Sequence, residues 1–365
     1  MKAMRIVTIV CWLVSALVLL GIVFWFLTGS VFGAMTERLS GNWHFGFSLG
    51  LENLTSPYEE AGTFAARDAD LNSININWIA GEVTVRQSES DEYQFIVTEY
   101  SRRELREDEK MHVRMTADTL EISFHERNSS RRIPQKKIEV LVSPKLFEDM
   151  IKLSINSTSG AINVDGAGAQ TFKAGATSGS INLKNITSQM LDVSATSGSI
   201  SIDSAIADTI KIDSRSGTVR ISDCSSGYLT GSTTSGNLVV SGDFADAKLS
   251  SLSGRITFEN ASPLSALLAK TTSGTQDLTG SFESADADSL SGTVTIRSAT
   301  VPDFLKAKTT SGKINVYIPD DSAITVSHSA TSGRFSSDIP VILLGHSAQF
   351  EFSSRSGNTK IYVLK

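Results

Sequence analysis

The side chains able to do chemistry are few and scattered along the chain. Two carboxylate pairs stand out, Asp286 with Asp288 and Asp320 with Asp321. A polysaccharide lyase or hydrolase would gather such groups on one surface as acid and base. Asp286 and Asp288, however, alternate with Ala285 and Ala287, as on the outward face of a strand, and the second pair follows Pro319 in a turn. Both pairs read as solvated. The five histidines, His44, His112, His125, His328 and His346, share no metal-ligand spacing, so no metal or other cofactor is expected. His328 falls at an inward position and reads as a hydrogen-bonded core residue. There is no Gly-x-Ser-x-Gly elbow, no phosphate loop and no calcium-binding G-G-x-G-x-D phrase. The two cysteines, Cys11 and Cys224, are poorly placed to pair. A net charge of −6 without a basic stripe excludes a nucleic-acid binder. The chain therefore reads as non-catalytic.

What the sequence does carry is a repeat. Ser-Gly recurs with its glycine at Gly160, Gly179, Gly198, Gly217, Gly236, Gly254, Gly274, Gly292, Gly312, Gly333 and Gly357, at spacings of 18 to 24 residues. On both sides of each glycine the residues alternate with period two, as half-buried strands do. Two residues after it stand Ile162, Ile181, Ile200, Val219, Leu238, Ile256, Gln276, Val294, Ile314, Phe335 and Thr359. Four after it the column is again apolar, from Val164 to Val316, and seven, five and three before it lie matching inward positions such as Ile210, Ile212 and Ser214. The intervening columns are polar. Six before the glycine, Lys173, Asp192 and Lys211 alternate in sign, as do Asp286 and Lys306, which suits charges stacked one strand apart. Two before it runs a threonine column that begins Thr158, Thr177, Thr196 and is broken by Arg215, Leu252, Leu290 and Arg355.

A single unit of about 19 residues cannot bury its apolar face, but stacked copies bury it continuously. The fold class that follows is all-β: a parallel β-solenoid of about eleven coils, roughly 50 Å long at ~4.8 Å per strand. Glycine at each corner is expected to supply a positive φ, and the serine or threonine before it to bond nearby backbone.

Four regions are expected. Residues 1–28 hold a short tip and an uncharged apolar run, Ile6 to Leu27, of a length that spans a bilayer as one transmembrane helix. Lys2 and Arg5 precede it, so the N-terminus is cytoplasmic and the remainder extracytoplasmic. Residues 29–68 read as a juxtamembrane linker with an aromatic cluster at Trp43, Phe45 and Phe47. Residues 69–150 read as an irregular β opening segment that caps the solenoid, with strand-like runs at 74–78, 82–85, 93–97, 120–124 and 138–142. Its charged stretches, 102–110 and 125–132, read as solvated loops, and Ala80-Gly81 as a degenerate first corner. Residues 151–365 form the regular solenoid, whose last, longer spacing includes Pro340 and reads as a closing cap.

The phrases NWIAGEVTV at 77–85, IEVLVSPKLFEDMIKLSINSTSGAINV at 138–164 and the repeated TSGSINL and TSGSISI resemble the bacterial putative-adhesin family, over about residues 70–365. That resemblance implies a β-solenoid at the cell envelope and supplies no catalytic residues. The expected function is adhesion or scaffolding by a membrane-anchored, extracytoplasmic solenoid whose polar face contacts an envelope glycan or a surface protein. A tethered sensor or accessory subunit of an envelope-stress system is the alternative, and a carbohydrate-active β-helix enzyme the third reading.

Overall fold

The computed structural model describes residues 57–67, 71–125, 133–320, 324–342 and 348–364. The apolar run 6–27, the aromatic cluster at 43–47, His44, His346, Asp321 and most of the charged stretch 125–132 lie outside them. Among the described residues no helix is long and apolar enough to cross a membrane.

The alternation seen in the sequence becomes one parallel β-solenoid. Ile181 lies beside Ile162 on one side and Ile200 on the other, and Leu183 beside Val164 and Ile202, so equivalent residues stack coil upon coil. Ile200 is buried and Ser199 exposed. Ile210, Ile212, Val219 and Ile221 are all fully buried, and burying each such side chain is worth about 2 kcal/mol. Near the corner the inward position is small, Ala195 or Ser214, where the chain bends. The two polar intruders are accommodated inside, although Gln276 Oε1 and Thr359 Oγ1 have no hydrogen-bond partner. Gln276 is 1% exposed and its Nε2 donates to Thr271 Oγ1 and to the Asp288 carbonyl, while Thr359 is wholly buried in a coil that forms normally.

All eleven expected corner glycines lie in one column, and Gly81 joins it, but for a different reason from the one expected. Positive φ is not the common property. Gly198, Gly217 and Gly236 have φ of +145°, +133° and +158°, whereas Gly160, Gly179, Gly274 and Gly312 are not among the positive-φ residues. What all share is contact: a Cβ on any of them would fall under 3.0 Å from a carbonyl oxygen of the coil before it. The corners are pinned by amide bonds in the other direction, Gly179 N–H to the Ser197 carbonyl and Gly198 N–H to the Ser216 carbonyl, each 3.1 Å. Where a hydroxyl bonds its own corner it is not the adjacent serine but the residue three before the glycine, as Ser157, Thr271 and Ser354 do to the Gly160, Gly274 and Gly357 carbonyls, whereas the Ser214, Thr233, Ser251 and Ser289 hydroxyls find no partner.

Both ends depart from sequence order. At the start, β1 (Glu59–Ala66), β2 (Ser73–Ala80), β3 (Val83–Gln87), β4 (Phe95–Ser101), β5 (His112–Thr116), β6 (Thr119–Ser123), β7 (Lys136–Val142), a short helix α1 (Pro144–Glu148) and β8 (Lys152–Ser159) follow one another. In space β2 lies between β6 and β8, and β3 between β7 and the strand Ile162–Ser178. The later segment β6–β7 thus forms the outer coil. It is covered in turn by antiparallel β5, β4 and β1. All five strand-like runs of this segment are strands. β1, within the stretch read as linker, β5 and α1 were not foreseen, although Ser143 as N-cap and Pro144 in the first turn are the usual helix-start signal.

The charged stretch 102–110 does not form a solvated loop throughout. Glu109 is 1% exposed, and Arg103 grips both its carboxylate oxygens at 2.8 Å. That pairing brings its pKa down to about 2. Lys136 stands where a corner glycine would, at the head of the column, with Ser101 of antiparallel β4 beside it instead of another corner. Its wholly buried Nζ is 2.6 Å from Glu99 Oε1 and donates to the Glu109 and Phe124 carbonyls, closing the core. Burial lowers its pKa against the pull of Glu99.

At the far end the coil of Gly357, last in sequence, is inserted between those of Gly312 and Gly333. Gly312 N–H donates to the Ser356 carbonyl, and Gly357 N–H to the Ser332 carbonyl. The Gly333 coil, rather than the chain's last residues, is therefore the outer one.

The two explanations for the corner glycines separate in a substitution pair. Gly179→Ala, without positive φ, and Gly217→Ala, with it, should both lower stability by about 3 kcal/mol, because both meet backbone. Gly62→Ala, with nothing within 4 Å of the added Cβ, serves as a neutral control. Melting curves showing Gly179→Ala as stable as the parent would return the argument to φ.

Candidate functional site

The outward columns two and four residues before each glycine border an open trough that runs along the solenoid. Three hollows share their lining residues: the first reaches from His112, Arg114 and Ser123 to Ser194 and Thr196, the second from there to Ser232 and Thr234, and the third on to Lys308 and Thr310. From the Ser123 strand to the Lys308 strand the trough crosses ten strand spacings, roughly 50 Å. The first hollow is the widest, about 900 Å³.

The repeat makes this surface. One coil contributes one residue to each row, in register, and most of these are hydroxyl-bearing, amide or charged. Thr158, Thr177 and Thr196 stand exposed in the row nearer the corner, and Asn77 and Asn156 in the other, their amides 3.3 Å apart. Gly175 follows Asn156 in that second row and deepens the floor. Leu252 and Leu290 are more than half exposed, separated by one threonine coil. Hydroxyls, amides and isolated apolar methyls in a long open channel suit an extended chain of neutral or mixed character.

Carboxylates in the trough are held apart. Asp213 lies 3.2 Å from Lys211, and Glu121 3.8 Å from Arg114. Asp213 and Asp288 are four strand spacings apart, ~19 Å, beyond the ~5–9.5 Å of a glycosidase acid pair. Asp286 and Asp288 point outward between buried alanines, beside Lys306 and Lys308 of the next coil. The alternating column is laid out as expected, with Asp192 between Lys173 and Lys211, and it continues to Lys306 and Glu351 at 4.0 Å. Such exposed pairs are worth only about 0–1 kcal/mol. Asp320 lies at the end of a strand, away from the trough.

Among the described residues no three histidine, cysteine or acidic side chains gather as a metal site. Cys224 is buried, and burial raises its thiol pKa to about 11, which makes it inert as a nucleophile. His112 and His125 line the wide mouth of the trough. His328 differs from expectation. It is half-buried in the outer Gly333 coil, its ring 5.2 Å from that of Phe335, and its shielded Nε2 has no hydrogen-bond partner.

Burial lowers the His328 pKa below the ordinary 6.5, so its neutral form is the one the fold prefers. Its contribution is complete above about pH 6.5 and is lost as pH falls through the lowered value. Amide protection of residues 324–337 should therefore weaken between pH 7 and pH 5, and His328→Phe should flatten that dependence. An unchanged pH profile in His328→Phe would remove the histidine from the account.

The sequence profile of the Toastrack DUF4097 family matches residues 71–257 and 243–361. Among curated proteins none matches. Solved structures similar to the chain include a putative adhesin from Bacteroides fragilis, 12% identical over 82% of this chain and 96% of that one, with a TM-score of 0.34. Another is a putative adhesin from Parabacteroides distasonis, 11% identical over 84% and 98%, with a TM-score of 0.38. With two profile matches spanning nearly the whole solenoid, the chain belongs to the Toastrack DUF4097 family.

Proposed function

We propose that this protein is a membrane-anchored, extracytoplasmic adhesion or scaffold protein that holds an extended envelope polymer, such as a glycan, along its axial trough without altering it. The observation that carries this reading is the continuity of the trough over successive coils. Each coil offers a few hydroxyls or amides, and each such contact is weak in water. A polymer with a regular repeat meets the same chemistry at every strand spacing, so its contacts add along the chain. Many copies on one membrane add further, because a second contact is favoured by effective concentration. The anchor is the apolar run 6–27, with Lys2 and Arg5 on its cytoplasmic side.

Orientation is open to a direct check. Protease added to intact cells or protoplasts should remove the solenoid and leave the anchor in the membrane. Survival of the solenoid would reverse the topology.

The binding reading predicts that the full chain in detergent retains wall polysaccharide weakly in solution and strongly when clustered on beads. Thr196→Trp, at an exposed position in the trough, should reduce bead retention about tenfold, a loss of ~1.4 kcal/mol per site, with the melting temperature unchanged. Release of reducing ends or unsaturated sugars would make the protein an enzyme instead. Equal retention by Thr196→Trp would move the contact off the trough.

A further inference from the structure

The two ends of the solenoid are finished differently. At the Lys136 end, β7 is paired by β4 and β4 by β1, and the corner column stops at a wholly buried lysine. At the Gly333 end the strand Ile324–Ser332 pairs inward with Gln349–Ser356, and outward only through Ile324 and Thr325 with Val341 and Ile342. The strand Phe335–Ser337 pairs only inward, with Thr359–Val363. Among the described residues the outer backbone edge from Val326 to Ser337 meets no strand. Core positions come to the surface there: Ala330 is exposed, while Ser354, beside it in the next coil inward, is 3% exposed. Val326 and Phe335 are only half-buried, and Val341 and Ile342 are 36% and 37% exposed close by.

Exposed edges are ordinarily guarded by lysine, proline, a bulge or an inward charge. This one has none. From Ile324 to Ser337 the only charged residue is Arg334. We infer that the open Gly333 end is a self-association surface on which a second copy of this chain docks tail to tail about a two-fold axis. The free edges Val326–Ser332 of the two copies would run antiparallel.

A second copy fits for three reasons. An edge paired with itself about a two-fold sets each of its donors against its own acceptors, with no separate partner sequence required. A pairing of residues 326–332 centred on Ser329 contains no Asp, Glu, Lys or Arg, so no like charges meet. The other end finishes in antiparallel β4 and β1, and β1 carries Glu59 and Glu60, charges of the kind that guard an edge and that the Gly333 edge lacks. The same contact brings Phe335, Val341 and Ile342 of one copy over the open core of the other.

Sedimentation of the full chain in detergent should show a concentration-dependent dimer. Ala330→Lys, an inward charge on the edge, should weaken it about tenfold or more. In a Cys11→Ser background, Ser329→Cys should form an intermolecular disulfide on mild oxidation, which keeps the test informative even if Ala330→Lys frays the outer coil. A parent that stays monomeric at every attainable concentration, or a dimer unaffected by Ala330→Lys and not trapped by Ser329→Cys, would overturn the proposal. Polysaccharide retention by the trough is read separately and does not depend on this dimer.

Discussion

The solenoid depends on one contact, the backbone of each corner glycine pressed against the carbonyl of the glycine one coil before it. Strands in a sheet stay about 4.8 Å apart, and at a corner the chain cannot turn its side chains aside as it does along the strands. A Cβ there has only the neighbouring backbone to enter. Glycine at every coil lets corners stack in register, and register carries everything else: identical columns, a continuous apolar interior and a repeating outer surface. The serine before each glycine contributes through its carbonyl, which accepts the amide of the glycine from the previous coil.

A stack of this kind has to end, and its two ends are solved through chain order. In both, a segment from the middle of the local sequence forms the outer coil, while the segment nearer the chain terminus is held inside. β2 and β3 are thus paired on both edges, as is the coil of Gly357. At the Lys136 end the neighbouring strand is antiparallel β4, so the stacked corners stop there and the column carries a side chain. That side chain places a buried ammonium group on two carbonyls and on Glu99. Breaking such a buried pair costs about 3–5 kcal/mol, so the charged residues of this cap act structurally despite their resemblance to a solvated run.

The trough follows from the same register. Rows of outward side chains form wherever coils repeat, and their chemistry is set by what each unit carries two and four residues before its glycine. Gly175 among amides and hydroxyls, and Leu252 and Leu290 among threonines, give the rows local relief. The resulting surface is broad, weak per contact and repetitive, which suits a repetitive ligand better than a small one.

Much of this was legible in the residues alone. Period-two alternation marks which side chains face inward, and Ile200 and Ser199 lie as that pattern requires, because a strand offers only two faces. The Ser-Gly spacing determined the coil and its corner, and Ala80-Gly81 was recognisable as one more corner. The order of the coils was not legible, because β6, β7 and the Gly333 coil have the same local pattern as their neighbours, and alternation does not say which edge a strand joins. Nor was the reason for glycine, since close approach between coils is a property of two chain segments and φ of only one. Glu109 looked like part of a solvated run, and nothing marked Lys136, for the same reason: burial and pairing arise only when distant segments meet, and it was the tertiary structure that brought Arg103, Glu99 and the Phe124 carbonyl to them.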